Sequence, residues 1–142
     1  MHWAILDTNV YVEHWERRLS NVDLDAIQAA FIIRHSAVVF SELRRGARTR
    51  AAQKLVDGLF RNTETQWAPT AADWWTAGLL IRRIGDRQGW DPNKRRDFQN
   101  DALIALTARR HGATVVTANR SDFLLLSREL GVSVVYVPTS VR

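Results

Sequence analysis

The 142-residue chain contains no cysteine, which excludes disulfide frameworks, zinc–thiolate and iron–sulfur sites and a thiol nucleophile. A chain of this length buries about two thirds of the surface its unfolded form exposes, so it needs no cross-link to fold. No apolar run approaches the roughly 18 residues of a membrane span. The opening Met1-His2-Trp3-Ala4-Ile5-Leu6-Asp7 lacks the basic and long apolar regions of a secretory leader. A cytoplasmic protein with no membrane partner is expected. The three prolines and seven glycines are scattered, so no linker, repeat or low-complexity tract divides residues 1–142, and one domain is expected. Neither a G-x-x-x-x-G-K-[ST] nor a G-x-G-x-x-G loop is present, leaving a nucleotide cofactor without support. His2, His14, His35 and His111 have neither metal-pair spacing nor a partnered nucleophile.

Lysine is scarce as well: of 20 Lys+Arg only Lys54 and Lys94 are lysines, which leaves 18 arginines against 15 acids and a net charge of +5. The planar fork of arginine suits phosphate and carboxylate, directing attention to nucleic acid or an acidic protein partner. A basic surface that only keeps the protein soluble fits the composition equally well. Six tryptophans are several times ordinary usage. Adjacent Trp74 and Trp75 cannot both face one core from a helix, so Trp75, or Trp15, is expected in a dimer or partner contact. Trp3 and Trp67 are expected to pack around strands.

The apolar run Trp3-Ala4-Ile5-Leu6 reads as a buried strand that stops at Asp7-Thr8-Asn9. Helical patterning follows over Val10–Leu19 and from Asp23 or Leu24 to Ala30. Both Phe31-Ile32-Ile33 and Ala37-Val38-Val39-Phe40 have strand propensity. If Ser36 caps a helix, the strand is Phe31–His35 and Glu42 lies inside that helix. A helix over Thr49–Phe60 with Leu55, Leu59 and Phe60 as its apolar face comes next, then an extended Thr65-Gln66-Trp67. Thr70 caps a helix over Ala71–Gln88 whose buried positions are Trp74, Leu79–Ile81 and Ile84. A loop carrying Lys94-Arg95-Arg96 precedes a helix over Phe98–His111. Thr114-Val115-Val116 is a second central strand ending at Thr117-Ala118-Asn119, Ser121 caps a helix over Asp122–Leu130, and Val132–Val137 is a last strand. Strands alternating with helices predict an α/β domain: three layers, with a mostly parallel central sheet of about five strands flanked by helices. Ligands bind such sheets beyond the strands' carboxyl ends, where Asp7 and Asn119 fall.

Four carboxylates stand beside apolar residues: Asp7 after a strand, Glu42 among apolar helix positions, Asp101 before Ala-Leu-Ile-Ala and Asp122 before Phe-Leu. Any one alone reads more readily as a cap or turn residue. Gathered at one sheet edge with Asn119, four like charges repel, and a divalent cation relieves them. An all-oxygen set points to Mg²⁺ or Mn²⁺, and such ions activate water and hold a phosphodiester for in-line attack. Phosphodiester hydrolysis is the chemistry implied. Asp97, four residues before Asp101, offers a further ligand if the helix already extends there.

The segments Leu6-Asp7-Thr8-Asn9-Val10, Ser41-Glu42-Leu43 with Arg45-Gly46, Asn100-Asp101-Ala102-Leu103-Ile104-Ala105 and Thr117-Ala118-Asn119-Arg120-Ser121-Asp122-Phe123 occur in order across nearly the whole chain. In sequence and spacing they resemble the PIN-domain ribonucleases, most closely the VapC toxins of VapBC toxin–antitoxin pairs. The resemblance implies a PIN-like fold and a cytoplasmic, Mg²⁺- or Mn²⁺-dependent endoribonuclease that is homodimeric and held by a cognate antitoxin. It also implies Asp7, Glu42, Asp101 and Asp122 as the catalytic and metal-binding acids, and it favours the helix reading around Glu42. Asn9 would order the site near Asp7, and Thr117 would orient a carboxylate or the attacking water. Some members carry Asp where this chain has Asn119, which leaves one or two ions open.

Arg44, Arg45 and Arg48, followed by Arg50 and Lys54, are candidates to hold RNA phosphates or an acidic antitoxin segment, with Arg44 and Arg48 on one helical face. Lys94, Arg95 and Arg96 form a second candidate patch. A non-catalytic RNA-binding module is the alternative, against which all four carboxylates weigh.

Overall fold

The computed structural model describes residues 2–17 and 19–138. Five strands, β1 (His2–Leu6), β2 (Phe31–Ser36), β3 (Gln66–Trp67), β4 (Thr114–Thr117) and β5 (Val134–Tyr136), form a sheet in the order β3-β2-β1-β4-β5, with every pairing parallel. Helices α1 (Thr8–Trp15), α2 (Asn21–Ala30), α3 (Ala37–Gly46), α4 (Arg50–Arg61), α5 (Ala71–Gln88), α6 (Pro92–Arg110) and α7 (Arg120–Leu130) connect them.

Side-chain alternation along the strands sorts these helices into the two outer layers. Ile5 and Val115 point into a core shared with α3 to α7, while Ala4, Leu6 and Val116 point to the other face against Val10, Leu19 and Ile27. The expected three-layer α/β arrangement is what the chain adopts. Helix α6 is its spine: Phe98 and every residue from Ala102 to Ala108 are buried. Each fully buried Leu or Ile contributes about 1.5–3 kcal/mol relative to an exposed one. Among the described residues no helix is long and apolar enough to cross a membrane.

From β1 the chain moves to β2 on one side and later returns to β4 on the other, so the sheet's order reverses between β1 and β4. Their register pairs Leu6 with Val116, which brings Asp7 level with Thr117 one step further along. The Asp7 N–H donates to the Val116 carbonyl at 2.9 Å and holds that alignment.

Several local expectations are corrected. Helix α1 begins at Thr8 rather than Val10 because Asp7 itself caps it, and it ends at Trp15; of the expected stretch, Arg18 lies outside the described residues. Ser36 caps α3 through the Val39 N–H, which resolves the ambiguity between Phe31 and Phe40 in favour of one strand and one helix. In α4 the buried residue is Val56, whereas Leu55 and Phe60 are exposed, and in α5 Trp74 is exposed while Ala77, Leu80 and Ile84 fill the core. Apolar character alone does not rank faces of a helix that meets the core with a narrow stripe. Helix α6 starts at Pro92 with Asp91 as its cap, so Lys94, Arg95 and Arg96 lie in its first turns and not in a loop. Asn119, not Ser121, caps α7.

Candidate active site

Asp7 occupies a junction of three elements. As the α1 cap it accepts the Thr8 N–H on Oδ1 at 2.8 Å, and its Oδ2 accepts from the Thr117 hydroxyl at 2.7 Å and the Asn9 amide at 3.1 Å. Asn9 in turn accepts the Ala118 N–H at 2.9 Å, tying the start of α1 to the end of β4. The carboxylate is 3% exposed. Burial pushes its pKa up to about 6 with the Glu42 charge adding to the rise, and the hydrogen bonds from Thr117, Thr8 and Asn9 hold it down from higher values.

Glu42, on the second turn of α3, accepts the Thr8 hydroxyl on Oε1 at 2.7 Å. Asp101 projects from α6. Its carboxyl is pushed up to about 9 by burial first, then by the Asp7 charge, a hydrogen bond to Asp122 and the charges of Asp122 and Glu42. At neutral pH it therefore holds a proton. Asp122, in the first turn of α7, is buried and lies at 2.8 and 3.0 Å from the Lys94 ammonium, one distance to each oxygen. The Asn119 amide donates at 3.2 Å to both Asp101 and Asp122.

The structure thus brings Asp7, Glu42, Asp101 and Asp122 to one cleft at the carboxyl edge of β1 and β4, with Asn9, Thr117 and Asn119 between them. The donor set is all oxygen. Two of its members stand above the ordinary carboxylate range, chiefly through burial and then through neighbouring carboxylate charge, and an all-oxygen set of this kind fits a hard divalent cation. As the side chains stand, no three acidic or histidine residues are drawn into a ready-made cage among the described residues.

The basic candidates part company. Arg44 and Arg45 are exposed on the last turn of α3, and Arg48 is exposed beyond its end, so Arg44 and Arg48 do not share a helical face. Lys94 turns into the cleft rather than onto an outward patch, its ammonium also 5.0 Å from the Trp90 ring centre. Arg95 is engaged within the fold: its Nε donates to the Trp90 carbonyl, its Nη1 pairs with Asp86, and its guanidinium packs on Gly85, fastening α5 to α6. Arg96 is exposed and donates to Asn93, and Asp97 is exposed on α6. The sequence reading missed Thr8, whose hydroxyl and N–H orient Glu42 and Asp7. Its signal was the Asp7-Thr8-Asn9 turn, read as a strand end and not also as a helix cap.

The family model described as PIN domain matches residues 4–127, and the chain belongs to that family. No curated protein matches it in sequence. Among solved structures, a chain of VapBC2 from Rickettsia felis, crystallised bound to a DNA fragment from the promoter, is similar with a TM-score of 0.69. That pair is 20% identical, over 96% of this chain and 99% of the other. VapBC-1 from nontypeable Haemophilus influenzae gives 0.69 at 18% identity, over 94% and 97% of the two chains. VapBC-5 from Mycobacterium tuberculosis, a member of the VapBC family of toxin–antitoxin systems, gives 0.62 at 19%, over 96% and 100%. At these identities the likeness is one of fold.

Proposed function

We propose that the protein is a divalent-metal-dependent endoribonuclease of the cytoplasm, the toxin of a type II toxin–antitoxin pair. The observation that carries this reading is the cleft itself: four carboxylates at a sheet's switch point, two raised above their ordinary pKa by burial and by the charge of their neighbours. Asp7, Glu42, Asp101 and Asp122 are the residues that would hold Mg²⁺ or Mn²⁺. The ion when bound supplies acidified water and charge compensation at the phosphorus.

The chain's own residues prepare that chemistry. Thr117, Asn9 and the Thr8 N–H fix both oxygens of Asp7, the Thr8 hydroxyl aims Glu42, and the Asn119 amide sets the spacing of Asp101 and Asp122. The exposed Arg44, Arg45, Arg48 and Arg96 would hold backbone phosphates of the RNA. Water and not the ribose 2′-hydroxyl attacks in this reading, leaving a 5′-phosphate.

Partner binding is supported by two surfaces. A largely apolar groove of about 370 Å³ opens beside Glu42 and Thr8 between Trp15, Leu43 and Leu55, placed so that an antitoxin segment seated there would lie along the cleft. Trp74 and Trp75 are exposed side by side on α5, and we assign them to the homodimer. The test is cleavage of total cellular RNA with Mg²⁺, Mn²⁺ or EDTA, beside Asp7→Asn and Asp101→Asn, with the cut ends mapped. Specific cuts that need the metal and both aspartates support the reading. Binding without cleavage would move the non-catalytic RNA-binding module ahead, and cyclic 2′,3′-phosphate ends would overturn the hydrolytic mechanism.

A further inference from the structure

Lys94 is one of two lysines in a chain with 18 arginines, and its ammonium is part of the acidic cleft. It reaches both oxygens of Asp122, at 2.8 and 3.0 Å, while its position 5.0 Å from the Trp90 ring centre and 5.9 Å from that of Phe98 gives it an aromatic wall. Asp122 has almost no exposure of its own, 9% for the side chain. Asp122 Oδ2 also accepts from the Asn119 amide at 3.2 Å. One cationic donor thus spans both oxygens, and a neutral amide adds to one of them. On the other side of Asn119 the donors are all neutral: Asp101 takes the Asn119 amide, and Asp7 takes the Thr117 hydroxyl, the Asn9 amide and the Thr8 N–H.

We infer that Lys94 is a built-in counter-cation that fills the Asp122 half of the cleft, so that the site takes a single divalent ion, on the Asp7 and Asp101 half. This rests on the nuclease reading and deepens it. With all four carboxylates ionised around a bound ion, Lys94 offsets one of four negative charges and a single divalent ion two, which leaves the cleft mildly negative. A second divalent ion beside the ammonium would place like charges together in a part-buried site, which costs several-fold to many-fold in affinity. A neutral Asn119, where a carboxylate would have strengthened the Asp122 half, acts in the same direction. Lys94 is then a positioning residue: it fixes the Asp122 carboxylate and confines the metal to one place.

The experiment counts Mn²⁺ bound to the full chain, by electron paramagnetic resonance of free Mn²⁺ and by calorimetry, for wild type, Lys94→Met, Lys94→Gln and Asp101→Asn. Thermal melts check that each variant is folded; Met keeps the apolar stem that packs by Trp90. Wild type is expected to bind one Mn²⁺, both Lys94 variants to bind two or to bind the first about tenfold more tightly, and Asp101→Asn to lose the ion. Two Mn²⁺ on wild type, or Lys94 variants that bind Mn²⁺ as wild type does, would overturn the role of Lys94 and leave the nuclease reading standing. No Mn²⁺ on wild type or on either Lys94 variant would overturn both.

Discussion

Replacing Asp101 by Asn tests whether the acidic cleft stores destabilising charge. In the folded protein the Asp101 carboxyl is pushed up to about 9, from 3.8, chiefly by burial and then by Asp7. Between those values the folded chain holds a proton that the unfolded chain has released, so the folded state binds more protons and stability falls as pH rises; above about 9 the loss is complete. Each pH unit in this window removes up to about 1.4 kcal/mol, an upper bound near ~4 kcal/mol between 3.8 and neutrality. Relaxation of a part-buried site reduces the net loss to about 2 kcal/mol. Asn at this position mimics the protonated acid: its oxygen accepts from the Asn119 amide and its own amide donates to Asp122, so neither contact is lost. In chelator, Asp101→Asn is therefore expected to melt about 6 °C above wild type at neutral pH, with the gap closing as pH approaches 4. Scanning calorimetry from acid to mildly alkaline pH measures it. Added Mn²⁺ is expected to raise the wild-type melting temperature, by about 2.7 kcal/mol in stability at a hundredfold excess over Kd, and to leave the variant unmoved. A variant that melts at or below wild type at neutral pH, or a gap indifferent to pH, would refute the reasoning.

Thr117→Val removes the 2.7 Å hydrogen bond to Asp7 inside the core, so the Asp7 carboxyl should rise further above about 6; a loss of about 1–2 kcal/mol in stability at neutral pH is expected in urea titrations. Gly85→Ala would put a methyl 2.8 Å from the Arg95 guanidinium and is expected to destabilise by about 1 kcal/mol net of the helix propensity it gains. In an Arg95→Ala background the same change should instead stabilise, a reversal of sign that a double-mutant cycle of melting curves reads directly. Trp75, at 86% the most exposed large apolar side chain among the described residues, should tolerate Ser within about 0.5 kcal/mol of monomer stability; sedimentation velocity should show weakened self-association, and an unchanged sedimentation profile would remove Trp75 from the homodimer contact.

Much of this protein was legible in its residues. Strand β1 announced itself as a short apolar run broken by Asp7, the Thr70-to-Gln88 helix by its cap and length, and the alternation of strand and helix carried the parallel three-layer fold, because period and punctuation are local properties. The four acids were legible for a related reason: a carboxylate beside apolar neighbours is conspicuous wherever it lies. Tertiary structure decided what each polar side chain does. Lys94 and Arg95 are neighbours in one run of cations, yet the turn of α6 sends one to Asp122 and the other onto Gly85. Leu55, Phe60 and Trp74 have the composition of core residues but lie on helix faces that no layer covers. The raised carboxyls of Asp7 and Asp101 exist only because β1, β4 and α6 bring together groups 94 residues and more apart in places. Hydrophobic period fixes which elements form; which charges meet depends on how those elements pack, and that is where the chemistry of the cleft arises.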